Sequence, residues 1–238
     1  MSKTKYNRVL LKLSGESFCN QGGFGIQGEP LKSLTQRIMD VCKLGPQLAV
    51  VVGGGNFLRG ENFSKRSKIP RNTADYMGML STILNACALQ ESLERAGQPT
   101  RILSAIEVSA VCEPFIRRRA IRHLERGRVV ILAGGTGNPF FTTDTCAALR
   151  TSELDAEILI KATNVDGVYD SDPKENPDAK LFSDLSYDDV LKKKLRAMDH
   201  SAITLCRDNR IPIIVLNIFK EGNITKAVCG EEVGTKIS

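Results

Sequence analysis

Short, continuous apolar runs alternate along the chain with longer segments whose apolar residues recur at helical spacing. The runs include Arg8–Leu13 and Gln47–Val52 and, further on, the stretches RILSA, RVVILA, EILIKA and IPIIVLN. A short run that is apolar throughout is typical of a strand buried on both faces. Strands that alternate with helices predict an α/β protein with a mainly parallel sheet covered on both faces.

Two helical segments are well defined by their apolar positions. The first has Leu31, Leu34, Ile38 and Cys42 at helical spacing. The second is a long helix predicted from about Thr73, as N-cap, to a stop at Gly97. One face of this long helix carries Met77, Leu80, Leu84 and Cys87. These positions indicate a face that is apolar along the length of the helix.

Composition indicates an ordinary globular protein. A chain of 238 residues with 42% hydrophobic and 25% charged residues suits one large domain or two small ones. No signal peptide or membrane-spanning stretch is recognised. The seven cysteines are scattered and form no C-x-x-C, which argues against a disulfide framework or a zinc site. We therefore expect a cytoplasmic protein with no membrane partner.

The net charge of +6 favours anionic partners without specifying which kind. Only 5% of the residues are aromatic and none is Trp, which disfavours a base-stacking nucleic-acid surface. The most basic segment, Phe115 to Arg128, keeps helical spacing of its apolar residues. Its arginines are interpreted as the solvated face of an amphipathic helix, and nucleic acid is disfavoured as a partner.

Candidate chemistry follows the strands, because ligands of such sheets sit outside the carboxyl ends of the strands. Lys12 ends the first strand beside Ser14 and Gly15. Its ammonium is suited to a phosphate, although it can equally be a lysine that reaches solvent from a strand end. Three glycines, Gly53–Gly55, follow the second strand and Arg59 comes shortly after. Glycines that expose backbone N–H groups, together with a guanidinium, favour phosphate binding over a simple tight turn.

The stretch AGGTGNPFFTTD, Ala133 to Asp144, follows another apolar run. Its glycines allow close approach, its hydroxyls and amide offer neutral hydrogen bonds to a base or sugar, and Phe140 and Phe141 can wall a pocket. The alternative is that the phenylalanines pack in the core while the threonines cap a helix whose first turn holds Asp144. Both interpretations can hold together.

Two other patterns are weak. GGFGIQG matches G-x-G-x-x-G but does not open a helix directly after a strand, so a surface loop is the better interpretation. KATNVDGVYDSDP can be a strand, a glycine turn and a loop whose Asp170 and Asp172 hold a metal, but it fails the EF-hand pattern. No Walker A sequence occurs.

The motifs KLSGE, GGGNFLRG, ADYMGML, TGNPFFTTD, KATNVDGVYDSDP and MDHSA stand in the order found in the bacterial UMP kinases of the amino acid kinase family, which this chain resembles over nearly its whole length. The resemblance implies a three-layer α/β/α sandwich that forms a single domain, residues 1–238. It also implies an acceptor-nucleotide half at about 1–155 and an ATP-binding half at about 156–238.

The resemblance further implies the roles of individual residues. The implied ATP contacts are Lys12, Leu13, Ser14, Gly15, Gly55, Arg59, Thr163, Asn164, Tyr169 and Asp172. The implied UMP contacts are Gly54, Asp75, Thr136, Gly137, Asn138, Pro139, Phe140, Phe141, Thr142 and Thr143, with Asp75 on the ribose hydroxyls. Asn164 stands where some members have Lys. A loop associated with GTP activation corresponds to Asn20, Gln21, Gly22, Gly23, Phe24 and Gly25.

The implied reaction is transfer of the γ-phosphoryl group of ATP to UMP, giving UDP and ADP, in pyrimidine nucleotide biosynthesis. The implied catalytic residues are Lys12, Arg59, Asp144, Asp199 and Lys161, with Mg²⁺ bound to ATP and no protein side chain assigned as a metal ligand. The acidic pair can orient Lys12 or waters, or can simply cap helices. The acceptor phosphate has a second pKa of about 6, so no general base is required.

The resemblance also implies a homohexamer activated by GTP and inhibited by UTP. Two other functions stay open at this point. A related kinase that phosphorylates a carboxylate or carbamate would share the lysine and the glycines but lack TGNPFFTTD. A nucleic-acid-binding regulator would use the arginine-rich helix and would bind in a salt-sensitive way.

Overall fold

Strands and helices alternate along the chain as the hydrophobic pattern predicts. The computed structural model describes residues 4–58, 68–173 and 175–238. Its elements, in chain order, are β1 (Arg8–Leu13), a 3₁₀ turn (Gly15–Phe18), α1 (Gly28–Cys42), β2 (Gln47–Val52), α2 (Arg71–Arg95), β3 (Thr100–Ser104), β4 (Glu113–Pro114), α3 (Arg117–Glu125), β5 (Val129–Ala133), α4 (Thr143–Glu153), β6 (Ile158–Thr163), β7 (Asp184–Leu185), α5 (Tyr187–Lys192), α6 (His200–Asp208), β8 (Ile213–Asn217), α7 (Asn223–Cys229) and β9 (Thr235–Ile237).

These strands form one sheet in the order β4-β3-β5-β2-β1-β6-β8-β9-β7. The pairing is parallel throughout the described strands except between β8 and β9, which are antiparallel. The border between β1 and β6 divides the sheet: β1 and the other described strands before residue 134 lie on one side, and β6 and the described strands after residue 157 lie on the other. The prediction of an α/β fold with a mainly parallel sheet is confirmed.

Side chains of successive strand residues enter two separate cores. In β1, Val9, Leu11 and Leu13 belong to one cluster and Leu10 to the other, as the period of two in a strand requires. The first cluster is closed by α1, α2 and α7, and the second by α3, α4, α5 and α6. Helices therefore cover both faces, which gives the three-layer α/β/α sandwich.

The long helix α2 differs from its prediction in two respects. It begins at Arg71 after Pro70, which makes no side-chain cap, so Thr73 is inside the helix and is not the N-cap. The face marked by Leu80 and Leu84 is not the one that packs on the sheet, because these side chains are 49% and 53% exposed. The sheet is instead covered by Ile83, Ala86, Leu89 and Leu93.

The structure also describes the cysteines, the arginine-rich segment and the apolar character of the helices. None of the seven cysteines, all of which the structure describes, forms a disulfide. Helix α3 buries Ala120 and Leu124 while Arg118 and Arg122 face solvent, as its amphipathic pattern predicts. Within the described ranges, no helix combines the length and the apolar character that crossing a membrane requires.

Candidate active site

Two lysines converge on one aspartate at the middle of the sheet. Lys12 in β1 and Lys161 in β6 are register partners across the parallel pair. Nζ of Lys12 lies 2.7 Å from Oδ1 of Asp144, and Nζ of Lys161 lies 2.6 Å from Oδ2. Lys161 also donates to the carbonyl of Ala197 at 2.7 Å. The sequence placed these three residues far apart, and the carboxyl ends of neighbouring strands bring them together.

Burial and charge act in opposite directions on this cluster. Burial alone would raise the pKa of Asp144, but the ammonium groups of Lys12 and Lys161 outweigh it and hold that pKa well below its usual range. Burial lowers the pKa of Lys161, and the charge of Asp144 opposes this change. Asp144 is therefore an ionised carboxylate that keeps two cations in place.

The N-terminus of α4 sets the position of Asp144. Thr142 is the N-cap, and its hydroxyl accepts hydrogen bonds from the N–H groups of Asp144 and Thr145. The same hydroxyl donates to Asp199, and Thr145 donates to both oxygens of that carboxylate at 3.0 Å. Asp199 is itself the N-cap of α6, where it accepts from Ala202 N–H at 2.8 Å. The threonines thus cap a helix, as one interpretation predicted, and Asp199 ties α4 to α6.

Two glycine turns lie in contact beside the lysines. A Cβ on Gly15 would come within 2.4 Å of the nitrogen of Gly55, so only glycine fits there. In the part of the chain that the structure describes, the N–H groups of Gly15, Gly54 and Gly55 have no hydrogen-bond acceptor. Backbone donors that are gathered at strand ends and left without acceptors form a cradle suited to an anion. We call Ser14–Gly15 together with Gly53–Gly55 the anion cradle.

A cavity of about 270 Å³ opens from the lysines toward the second half of the sheet. Its lining includes Lys12, Ser14, Lys161, Thr163 and Asn164. The resemblance implies an ATP contact for Lys12, Ser14, Thr163 and Asn164 and a catalytic role for Lys161, and the structure brings these residues to one cavity.

The remaining implied ATP residues are placed differently. Leu13 has a fully buried side chain, and its carbonyl accepts from Gly53 N–H. Tyr169 forms an isolated bridge with Leu181, and Asp172 lies 3.9 Å from Arg196, a residue that lines the cavity. Arg59 lies outside the described residues.

Asp75, an implied UMP contact, lies where α2 meets the loop that follows β5. Its carboxylate receives the Nε–H of Arg71 at 2.8 and 2.9 Å and the backbone N–H of Phe140 at 2.8 Å. Phe140 has φ +71°, a left-handed conformation that is uncommon for a bulky residue. The guanidinium of Arg71 also lies 5.7 Å from the centre of the Phe140 ring. Asp75 thus joins α2 to the loop that follows β5.

The loop after β5 is open to solvent at its tip and tightly packed at its base. Phe140 and Phe141 are 68% and 54% exposed, so the interpretation that they pack in the core is wrong. Gly134 has φ +74°, and a Cβ there would meet the hydroxyl of Ser104 at 2.8 Å. Thr136 and Asn138 bond each other within a local turn. The implied acceptor residues Gly137, Pro139 and Thr143 lie in the same loop and at the start of α4.

The loop Asn20–Gly25 borders a second cavity, of about 630 Å³, which reaches Gly55 and Asn164. Asn20, Gln21, Gly22 and Gly23 line it together with Arg37. Phe24 is 73% exposed and stacks edge-on against Phe57, with 5.7 Å between ring centres. This loop therefore adjoins the cradle and the cavity that Lys12 and Lys161 line.

Some residues of the site were missed from sequence. Arg71 is four positions before Asp75, a spacing at which opposite charges meet on a helix, so the pair was detectable. Thr145 and Arg196 carry no comparable local signal, because their partners are distant in sequence.

Protein ligands for a metal are not clustered here. Among the described residues, no group of three or more His, Cys, Asp or Glu side chains is arranged to hold a metal ion. Both oxygens of Asp144 face lysine ammonium groups. With the carboxylate of Asp144 paired in this way, the site fits a divalent cation that arrives with a nucleotide, since Mg²⁺ commonly keeps substrate phosphates and waters as ligands.

Comparisons with known proteins agree on one family. The model of the amino acid kinase family matches residues 7–217. The chain is similar to the UMP kinase from Bacillus anthracis, with a TM-score of 0.94 and 38% identity over 98% of this chain and 96% of that one. It is also similar to the UMP kinase from Ureaplasma parvum, with a TM-score of 0.90 and 35% identity over 100% of both chains. The chain is similar as well to the uridylate kinase from Archaeoglobus fulgidus, with a TM-score of 0.74 and 29% identity over 97% of this chain and 100% of that one.

Proposed function

The chain belongs to the amino acid kinase family, and from this premise we propose that it is a UMP kinase, which transfers the γ-phosphoryl group of ATP to UMP and releases UDP and ADP. Structures similar over nearly its whole length are described as UMP kinases. The role belongs to pyrimidine nucleotide biosynthesis in the cytoplasm.

The observation that best supports the proposal is the placement of two lysines beside the anion cradle. Lys12 and Lys161 share the single carboxylate of Asp144, which leaves one uncompensated positive charge within that trio. Positive charge and oriented N–H groups in one partly buried site stabilise the equatorial oxygens of a phosphoryl group during transfer. The three residues keep their geometry through strand pairing and the Thr142 cap.

The reaction needs no base. The phosphate of UMP has a second pKa of about 6, so an anionic oxygen is available for attack near neutral pH. That oxygen forms a bond to the γ-phosphorus of ATP while the bond to the β,γ-bridging oxygen breaks, and ADP leaves with that electron pair. Lys12, Lys161 and Arg59 are proposed to contact the transferred group, and Asp144 to orient both lysines. Asp199 holds α4 in place through Thr142 and Thr145.

Mg²⁺ is proposed to enter with ATP. When bound, it would neutralise negative charge on the phosphates that Lys12 and Lys161 face. Lys12 and Lys161 would contact phosphate oxygens directly, and no side chain is assigned as a ligand of the cation.

The two nucleotides are proposed to occupy opposite sides of the cradle. ATP occupies the cavity lined by Ser14, Thr163 and Asn164, with Tyr169 and Asp172 on its nucleoside. UMP occupies the loop after β5, where Asp75 binds the ribose hydroxyls and residues 136–143 enclose the base and sugar. The sheet order supports this division into halves at about residue 155, because β1 and β6 form its border.

Assembly and regulation are part of the proposal. Tyr76, Leu80 and Leu84 form an exposed apolar stripe on α2, at 45%, 49% and 53% exposure. Residues four apart on a helix share one face, and an exposed apolar stripe of this kind favours contact with another subunit. We propose a homohexamer that buries it. GTP is proposed as activator through Asn20–Gly25, and UTP as inhibitor.

The proposal is tested by ADP release from ATP and Mg²⁺ with separate acceptors. The acceptors are UMP, CMP, dUMP, acetylglutamate, aspartate and carbamate. We expect release above the acceptor-free background with UMP, and none with the carboxylates or carbamate. Turnover of a carboxylate or carbamate without UMP turnover would keep the family and reject the acceptor.

A further inference from the structure

Two asparagine side chains form a closed pair beneath the anion cradle. Asn56 and Asn85 are 4% and 0% exposed. Nδ2 of Asn56 donates to Oδ1 of Asn85 at 2.9 Å, and Nδ2 of Asn85 donates to Oδ1 of Asn56 at 2.7 Å. Each amide therefore satisfies the other and has one N–H left for a further acceptor.

The remaining N–H of each asparagine binds a main-chain carbonyl at the site. Asn85 donates to Gly53 O at 2.7 Å, and Asn56 donates to Gly25 O at 2.8 Å. The N–H of Gly25 returns a bond to Asn56 O at 2.9 Å. The pair thus connects α2, the glycine turn and the loop Asn20–Gly25.

The bond to Gly53 controls the direction of a donor in the cradle. The carbonyl of Gly53 and the N–H of Gly54 belong to one planar peptide unit. Fixing the oxygen against Asn85 therefore fixes where the Gly54 N–H points. Glycine has wide conformational freedom, so a turn of three glycines needs such a restraint to keep its donors aligned.

We propose that Asn85 is a positioning residue for phosphoryl transfer, acting with Asn56 to aim the Gly54 N–H into the anion cradle. This inference rests on the proposed function, because the cradle is taken to hold the phosphates that react. Asn56 also holds the Gly25 end of the neighbouring loop to the same turn. Loss of the pair is expected to misalign the cradle while the sheet remains intact.

A helix interior offers little other reason for an asparagine here. The neighbours of Asn85 on the buried face are Ile83, Ala86 and Leu89, which pack in the core. Asparagine has a lower helix propensity than these alanine and leucine positions, and a buried amide is costly unless it is fully bonded. The four bonds offset that cost and direct the pair at the glycine turn.

The test compares Asn85→Leu and the milder Asn85→Ser with Ser92→Ala as the matched control. Ser92 lies on the same helix and bonds Thr35 of α1 at 2.7 Å, away from the cradle. For each protein we would measure kcat, KM for UMP and ATP, and the thermal midpoint, with assays run well below that midpoint. The serine variant makes the smaller change in volume and supplies a hydroxyl donor in place of the amide. It is therefore the second variant to test if the leucine variant does not fold.

We expect the folded Asn85 variants to lose about 10- to 100-fold in kcat, because small misplacements of reacting groups have effects of that order. Ser92→Ala is expected to lower the thermal midpoint and leave kcat and both KM values unchanged. Normal kcat in a folded Asn85 variant with only a lower midpoint would overturn the inference. An inactive wild-type protein would instead reject the proposed function, so the two failures are distinguishable.

Discussion

At the scale of single residues, the site depends on one charged trio whose members were predicted separately. Lys12 was a candidate because it ends a strand, and the resemblance implied catalytic roles for Asp144 and Lys161 as well. The sequence did not specify that Asp144 would contact both lysines, because that contact depends on the register of β1 against β6. Arg71 and Asn85 were not assigned, since their roles depend on partners in other elements.

The first prediction concerns the charge of Asp144. Asp144→Asn leaves two partly buried ammonium groups without their carboxylate, and removal of one partner of such a pair costs about 3–5 kcal/mol. The pKa of Asp144 is lower in the folded state than in the unfolded state. The ionised carboxylate therefore contributes fully to the free energy of unfolding at pH values well above the unfolded pKa of about 3.9, and this contribution is lost as the pH falls toward the folded-state pKa. The measurement is the free energy of unfolding of both proteins between neutral and acid pH.

The gap in unfolding free energy between wild type and Asp144→Asn is expected to shrink on acidification. Asp40→Asn is the control, since Asp40 pairs with Lys43 on the surface and such pairs contribute less than about 1 kcal/mol. A gap for Asp144→Asn that stayed constant through the acid range would contradict the assigned charge.

The second prediction concerns the acceptor side. Asp75→Asn should weaken UMP binding by about tenfold, a loss of the size expected for one hydrogen bond to a charged group. ATP binding should change much less, because Asp75 lies beside Phe140 and does not line the cavity proposed for ATP. Calorimetric titration of wild type and Asp75→Asn with UMP and with ATP measures the two binding constants separately. Equal losses would remove Asp75 from the acceptor site.

At the scale of elements, the six longer strands were predicted closely, whereas the short strands β4, β7 and β9 were not predicted and helix surfaces were predicted less well. Apolar runs such as Gln47–Val52 coincide with the observed strands because burial on both faces leaves a continuous signal. The apolar pattern of helix α2 was misleading, because apolar residues occupy both the side that packs on the sheet and the exposed stripe. The cap at Thr142 was anticipated as an alternative, whereas the link from Asp199 to Thr145 joins elements that no local pattern connects.

The third prediction concerns that link. Thr145→Val removes the hydroxyl that donates to Asp199, so we expect a loss of about 1 kcal/mol in stability and a lower kcat as α4 shifts Asp144. Thr145→Ser should restore both. Ser186→Ala, which removes the capping box of α5 at another site, should cost similar stability with unchanged kcat. Denaturant unfolding and initial rates provide both readouts, and equal kcat in all variants would contradict a role in positioning.

At the scale of the whole molecule, the sheet order joins two sequence halves along β1 and β6. The fold class followed from the alternation of strands and helices, but the order of strands did not, because pairing is set by contacts between distant segments. Hexamer formation stays a prediction, with the exposed stripe on α2 as its candidate interface.

The fourth prediction concerns this stripe. Leu84→Glu puts a charge where Leu84 is 53% exposed, and a charge buried at a subunit interface is strongly unfavourable. We expect a smaller species in light scattering coupled to size exclusion, with the monomer fold retained. Leu181→Glu, at 45% exposure outside the stripe, should keep the wild-type mass. An unchanged mass for Leu84→Glu would exclude this stripe as the interface.

The most direct test of the proposed reaction follows the label from γ-³²P-ATP in the presence of UMP and Mg²⁺. Direct transfer predicts that the label appears in UDP, at its β-phosphate, with one ADP formed for each UDP. Lys12→Met should suppress that product without changing where the label goes. Label found only in inorganic phosphate, or on a different acceptor while UMP stayed unlabelled, would contradict the assignment of this site as a UMP kinase.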